Sequence, residues 1–387
     1  MIFKNIQRVI PILFIFVILL HKSLYALDYV NKDVNIGIFV NVSSATLGCS
    51  KSFIIEEENT GKKLKFSKGV INLICTSKGI KINNYTLRSP IKILPSNDVI
   101  FANSQYYQGY LYIKQSQNKM TIINVLPIEE YLKGVLPKEV STSWPIEALK
   151  AQAVISRTYT IANLNKHREQ GFNLCSRTHC QVYGGLSSQA HLSNQAVKET
   201  NKEVLTYENN VIQAVFHASC GGRTDTPEYV WSWKNIPPWL KGAKCGYCRN
   251  APYTKWEQTL DEHFIHEKLS QNNKIGKIKK IKIKGKTSAK AAKELEITHS
   301  KGKIKLNAYK FRTLVDAWKI KSHTFDSIKV KNDKIYFKGK GWGHKVGLCQ
   351  EGAKGMAEKG KTYKKILLHF YPKTKIETVN YSKSGSD

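Results

Sequence analysis

Leu126-Pro127-Ile128-Glu129-Glu130-Tyr131-Leu132-Lys133-Gly134-Val135-Leu136-Pro137-Lys138-Glu139-Val140 is where this 387-residue chain changes its period. Upstream, apolar and small or polar residues alternate in Val34-Asn35-Ile36-Gly37-Ile38-Phe39-Val40. Short apolar runs follow at 70–75, 90–94, 110–114 and 121–125. Gly and Asn separate them, so each reads as a strand. From Ile128 the spacing becomes i, i+4, i+7 through Leu132 and Val135, the stripe of a helix. Gly134 and Pro137 are expected to end or bend it, since Pro lacks the N–H that the helix ladder needs. A second helix is predicted over 145–165, with Pro145 near its first turn and Glu147 complementing the dipole. Ala148, Leu149, Ala151, Ala153, Val154 and Ile155 put apolar or small groups on nearly every face, which means burial. Gln152, Arg157 and Tyr159 on such a helix must find polar partners. They are candidates to line a cavity.

Further along, 195–216 reads as a helix and then strands, and Pro- and Trp-rich loops run to Trp256. Residues 273–376 hold 29 Lys+Arg against 7 Asp+Glu. Lys alternates with Ile at 277–284, the pattern of a strand with one wet face, guarded against edge pairing. A helix over 363–371 and Pro372 close the ordered part. The expected fold class is α+β. It comprises a β-rich region at 27–125, then a region at 126–376 with a central helical catalytic segment and a mixed β/α C-terminal part. A disordered tail is expected at 377–387.

The first 26 residues read as a signal peptide. Lys4 and Arg8 precede an apolar run at 9–20, and Ala26 suits cleavage. The run is short for a spanning helix, which needs about 20 apolar residues. An uncleaved N-terminal anchor is the alternative. Export permits disulfides among the eight Cys, all of which lie beyond residue 26. The formal charge is 61 − 29 = +32, which invites a phosphate-binding reading. However, 53 of the 61 basic residues are Lys and 8 are Arg, whereas base readout leans on the Arg fork. With export, this argues against a nucleic-acid partner. An anionic wall polymer or membrane surface is the partner that the charge fits.

Four constellations bear on chemistry. Glu139 sits between two helices, beside Trp144, in a mostly apolar run. Desolvation raises a carboxyl pKa, which is what a general acid for glycosidic cleavage needs; taken alone, the residue reads more readily as a surface or capping group. His167, Cys175, His179 and Cys180 could complete a tetrahedral zinc site, or Cys175 and Cys180 could pair as a disulfide. In Phe216-His217-Ala218-Ser219-Cys220-Gly221-Gly222, nothing supplies the remaining partner for nucleophilic catalysis, and the two Gly read more simply as a tight turn. The Gly-framed loop 339–347 lacks the Lys-Ser/Thr of a phosphate loop. Its Trp342 and His344 could instead meet a sugar.

Together and in this order, these segments resemble the stage II sporulation protein D family, which includes the amidase-enhancer proteins. The resemblance is carried by Pro137-Lys138-Glu139, Trp144-Pro145-Ile146-Glu147-Ala148, Ala151-Gln152-Ala153-Val154 and Arg157-Thr158-Tyr159. His179-Cys180-Gln181-Val182-Tyr183-Gly184-Gly185, Ser219-Cys220-Gly221-Gly222-Arg223-Thr224 and Gly341-Trp342-Gly343-His344 extend it. It spans about 34–376. It implies a peptidoglycan lytic transglycosylase that cuts glycan strands poor in stem peptides, with Glu139 as the catalytic acid. The chemistry implied requires no cofactor. A structural zinc on His167, Cys175, His179 and Cys180 is implied as well. The non-catalytic alternative within the same resemblance is a glycan-binding enhancer of a cell-wall amidase. Lys345 stands where the family usually has Gly, Glu351 where it has Trp, and Cys349 where it has Ser.

Overall fold

The computed structural model describes residues 28–271 and 274–382. The signal peptide expected at 1–26 and the end of the expected tail, 383–387, lie outside the described residues. The architecture is mixed α and β, as the change of period predicts.

Residues 28–127 build two packed sheets. One has seven strands, six from this region and a seventh, Leu174–Cys175, added from further along the chain. Asp33–Val42 pairs with Lys119–Pro127, which pairs with Tyr110–Ser116, and the sheet continues through Ile91–Pro95 and Phe53–Glu57 to Lys63–Phe66. The other has six strands and includes Ser44–Cys49 and Gly69–Thr76. Their inward positions, among them Ile36, Leu47, Ile55, Leu73, Ile93 and Ile113, are fully buried. The alternation in sequence is thus the alternation of a sandwich.

Helix α1 (Ile128–Glu139) follows the last sandwich strand without a break in the core. Ile128, Tyr131, Leu132, Val135 and Leu136 join the same apolar cluster as the strands. The expected boundary at 125/126 therefore divides one core. The helix also runs through both expected breakers. Pro137 falls in its last turn. At Gly134, an added Cβ would come 2.5 Å from the Tyr183 ring. Glycine there admits a loop rather than ending a helix.

Helix α2 (Ile146–Ala162) is buried on nearly every face because two cores meet on it. Leu149 and Ala153 belong to the sandwich core. Ala151, Val154 and Ile155 belong to a second core, which includes Leu348, Ala353, Ile366, Leu367 and Phe370 from the end of the chain.

The Lys-rich stretch is not uniform. Between Trp256–Asp261 and Lys334–Gly339, which pair with each other, the chain forms a unit around a third core of Ile265, Leu295, Ile297, Phe311, Phe325 and Phe337. Within it, Ile278–Lys286 is an edge strand that buries Ile278 and Ile281 and exposes most of its Lys. The region 126–376 is thus interrupted by an inserted unit.

The tail expectation also needs correction. Lys375–Thr378 pairs antiparallel with Glu203–Tyr207, and Asn380–Ser382 pairs parallel with Asp28–Asn31. Buried Val379, between the two, secures this end.

Candidate functional site

A cleft of about 620 Å³ lies where α1, α2, the 178–182 loop, the Trp231–Trp233 segment and the Gly-framed loop converge. Glu139, Tyr159, Lys166, Val182, Trp231, Trp233 and His344 line it, and Tyr309 of the inserted unit completes its wall. Glu139 also borders a smaller depression of about 340 Å³ with Trp144 and Glu351.

Glu139 ends α1. Its carboxylate accepts one hydrogen bond, from the Val182 N–H at 2.9 Å. Burial pushes its carboxyl above the ordinary carboxylate range, and the Val182 N–H partly offsets this. Among the described residues it makes no ion pair. The Gln350 amide donates to the Glu139 carbonyl at 3.3 Å and to Gln152 Oε1 at 3.4 Å, tying the acid's backbone to the helix at Gln350–Glu358.

The other residues expected at the site separate into two groups. Tyr159 lines the cleft, and its hydroxyl accepts from Lys166 Nζ at 2.9 Å. His344 lines it too, its ring tilted 52° against that of Trp231 with centroids 5.0 Å apart. Burial lowers the His344 imidazole to about 4, so it is neutral at physiological pH. Gln152, Arg157 and Trp342 do not reach the cleft. Gln152 is buried, and its amide donates to Ser156 Oγ. Arg157 is fully buried and forks onto Glu129, with Nε to Oε1 at 2.8 Å and Nη2 to Oε2 at 2.7 Å. It also donates to the Glu203 and Val197 carbonyls. A long cation on a buried helix was satisfied from inside the fold, not by a ligand. Trp342 turns the other way, against Tyr253 and Trp318 and under Lys321 Nζ, 4.5 Å from its ring. Its backbone pairs with Ser219, which fixes the side of the loop it faces.

Lys345, in the position where the family usually has Gly, has φ +70°. That region favours Gly, so a Lys there costs about 1 kcal/mol or more. Its buried ammonium donates to Thr324 Oγ1 at 2.7 Å and to the Ala289 carbonyl at 3.1 Å, which helps to hold it.

His167, Cys175, His179 and Cys180 come together with every donor pair within 4.8 Å. His167 Nε2 is 3.3 Å from His179 Nδ1, and Cys180 Sγ is 3.4 Å from His167 Nε2 and 3.6 Å from His179 Nδ1. Cys175 Sγ is 3.9 Å from His179 Nδ1. Tetrahedral zinc, with bonds of about 2.3 Å to S and 2.0–2.1 Å to N, sets N–N edges of about 3.3 Å and S–N edges of about 3.6 Å. The spacing fits that ion. No disulfide joins Cys175 and Cys180. The group is anchored to the sandwich: Leu174–Cys175 adds in parallel beside Ile36 and Gly37, and His167 stacks on Phe172. Phe172 comes so close to Gly37 that a Cβ there would meet its ring at 2.8 Å. The loop after Cys180 then delivers the Val182 N–H to Glu139.

Sequence reasoning missed Trp231, Trp233, Asn163, Gln213 and Tyr309 as cleft residues. The Trp-rich loop was visible as composition, but nothing local said which indoles face Glu139.

The comparisons agree with this architecture. A family model described as "Stage II sporulation protein" matches residues 116–207, which contain α1, α2 and the His/Cys loop. A domain of unknown function (DUF8618) matches 246–347, which contains the inserted unit. An uncharacterised protein of Brachyspira hyodysenteriae is 35% identical over 80% of this chain and 82% of its own length. The amidase enhancer of Bacillus subtilis is 29% identical over 92% of this chain, which spans about half (54%) of that protein. Stage II sporulation protein D of the same organism is 29% identical over 65% of this chain and 74% of its own. The fold is α+β, and the sequence comparisons group the chain with proteins of the sporulation-protein-D type. The chain belongs to the stage II sporulation protein D and amidase enhancer family.

Proposed function

We propose that this protein is an exported peptidoglycan lytic transglycosylase that acts on stem-peptide-poor glycan strands in wall remodelling or sporulation. The observation that carries the reading is Glu139: a carboxyl with raised pKa, free of ion pairs among the described residues, at the edge of a Trp-walled cleft. Protonated Glu139 gives its proton to the oxygen between N-acetylmuramic acid and N-acetylglucosamine, and the C1–O bond breaks. Positive charge develops at C1. The carboxylate then takes the proton of the C6 hydroxyl as that oxygen bonds to C1. The product is a 1,6-anhydro end, no water is consumed, and Glu139 ends as it began. One carboxyl serves both steps, unlike the paired carboxylates of hydrolases. Trp231 offers an apolar face for a sugar ring, while Tyr159 and His344 offer hydroxyl and imidazole to its polar edges.

Zinc on His167, Cys175, His179 and Cys180 would hold the 175–182 loop, and thus the Val182 N–H, without entering the reaction. His179→Ala is expected to lower bound zinc by one per chain in elemental analysis, and to lower turnover by displacing that N–H. Unchanged zinc would remove the assignment. Trp231→Ala is expected to weaken glycan binding about tenfold, or about 1.4 kcal/mol. Trp342→Ala should leave it near wild type, because that indole packs on the inserted unit. Calorimetric titration with glycan strands reads both.

A second reading, a glycan-binding activator of an N-acetylmuramoyl-L-alanine amidase, is favoured by the likeness to the amidase enhancer across 92% of this chain. Digestion of purified glycan strands by the protein alone, and of intact peptidoglycan by an amidase with and without the protein, both read by mass spectrometry, separates the two. Anhydro ends from the protein alone support the transglycosylase. No such ends, with faster amidase turnover, support the activator.

A further inference from the structure

Cys220, Cys245, Cys248 and Cys349 are each fully buried, and their sulfurs all lie within 4.8 Å of one another. Cys220 and Cys248 sulfurs are 3.6 Å apart, far beyond a bonded S–S distance of about 2.05 Å. None of the four is in a disulfide. Tetrahedral S₄ coordination with bonds of about 2.3 Å places sulfurs about 3.8 Å apart. We propose that these four cysteines form a second, structural zinc site, a tetrathiolate that ties three separate segments of the chain together.

Its surroundings are those of bound thiolates. The Cys220 and Gly352 N–H groups donate to Cys349 Sγ at 3.3 and 3.2 Å, and the Gly222 N–H donates to Cys220 Sγ at 3.4 Å. Cys349 caps the helix Gln350–Glu358, so one sulfur sits at the positive end of the helix dipole. Burial pulls the pKa of Lys345, four residues before Cys349, down, and Asp225 together with the Cys220, Cys248 and Cys349 sulfurs as thiolates would oppose that. A zinc tetrathiolate carries charge −2, which a buried site must balance. The Cys245-x-x-Cys248 spacing supplies two ligands from one turn, as zinc loops do. Loading is redox-neutral: Zn²⁺ displaces four thiol protons and forms four Zn–S bonds.

The staple has a consequence for the cleft. Cys220 lies just past Phe216–His217, which pairs with Leu348–Cys349. Cys349 precedes Gln350, whose amide holds the Glu139 backbone. Cys245 and Cys248 lie on the segment that leads into the inserted unit. The ion would fix the wall behind His344 without touching the glycan, and it does not depend on which reaction the cleft performs.

The test uses the full chain, purified without chelator after expression with zinc, as wild type, Cys180→Ser and Cys248→Ser. Native mass spectrometry and elemental analysis count zinc, and X-ray absorption fine structure counts its ligands. Cys180→Ser is expected to keep one zinc with four sulfurs at about 2.3 Å. Cys248→Ser is expected to lose that zinc. Chelation of the wild type should lower Tm by roughly 10 °C or more. Should Cys180→Ser not fold, ligand counting on the wild type decides: an average of three sulfurs and one nitrogen per zinc, against two and two for the His/Cys site alone. Two disulfides among the four cysteines, or four free thiols with no zinc after metal addition, would overturn the proposal.

Discussion

Glu139→Gln is expected to abolish anhydro-end formation, lowering turnover by about 10²–10⁴-fold, the range that general acid–base groups contribute. The fold should survive, because the Gln side-chain oxygen can still accept the Val182 N–H. The pH dependence follows from the raised pKa of the carboxyl. The acid must be protonated to act, so kcat/KM of the wild type should fall as pH rises through that raised value. Stability responds with a definite sign. A group whose pKa is higher folded than unfolded stabilises most below its unfolded pKa, about 4.3 for Glu. That contribution is lost as pH rises through the folded value. The uncharged Gln variant should therefore match wild-type Tm at acid pH and exceed it at neutral pH. Anhydro product from Glu139→Gln equal to that from wild type would take Glu139 out of the reaction.

Arg157→Met is expected to cost up to about 3 kcal/mol of stability, the low end of the penalty for removing one partner of a buried pair, because the Glu129 side chain left behind is 20% exposed. Glu129 would keep the Tyr381 hydroxyl at 2.8 Å and the Lys202 N–H at 3.3 Å, but no counter-charge. Chemical denaturation should show the loss as a lower midpoint. Adding Glu129→Leu should recover much of it, because replacing both charges relieves the unpaired one. Glycan affinity of the folded fraction should not move, since Arg157 lies away from the cleft. An Arg157→Met protein with wild-type stability and tenfold weaker glycan binding would reverse this assignment.

These two residues show how far local sequence can be read. Glu139 was legible as a carboxyl at a helix end among apolar neighbours, but read alone it fitted a surface or capping role as well, and its proposed role as the acid came from the resemblance that the longer segments carry. Arg157 was legible as a buried cation needing a partner, but its partner is 28 residues away on α1. A buried helix can meet such a group from any side. Trp342 and His344 differ by two residues, yet they face opposite ways. The reason is the bridge between Ser219 and Trp342, made by a segment more than a hundred residues earlier. The inserted unit was hidden for a related reason. Its Lys-rich composition runs on into the residues that follow it, and its separate core is what sets it apart from them.

The sequence by itself determined the sandwich strands and the two helices, since periodicity and helix ends are set by neighbours within a few residues. It also marked the metal-ligand candidates by residue type. Only the tertiary structure decided which of them converge. It closed His167, Cys175, His179 and Cys180 to tetrahedral spacing, and it brought Cys220 and Cys349 beside the 245–248 turn from distant points in the chain. It also placed the Trp231 indole, instead of that of Trp342, in the cleft that Glu139 lines. The physical reason is the same in each case. Alternation and spacing say which face of an element is buried, whereas which faces meet depends on how three cores close against one another.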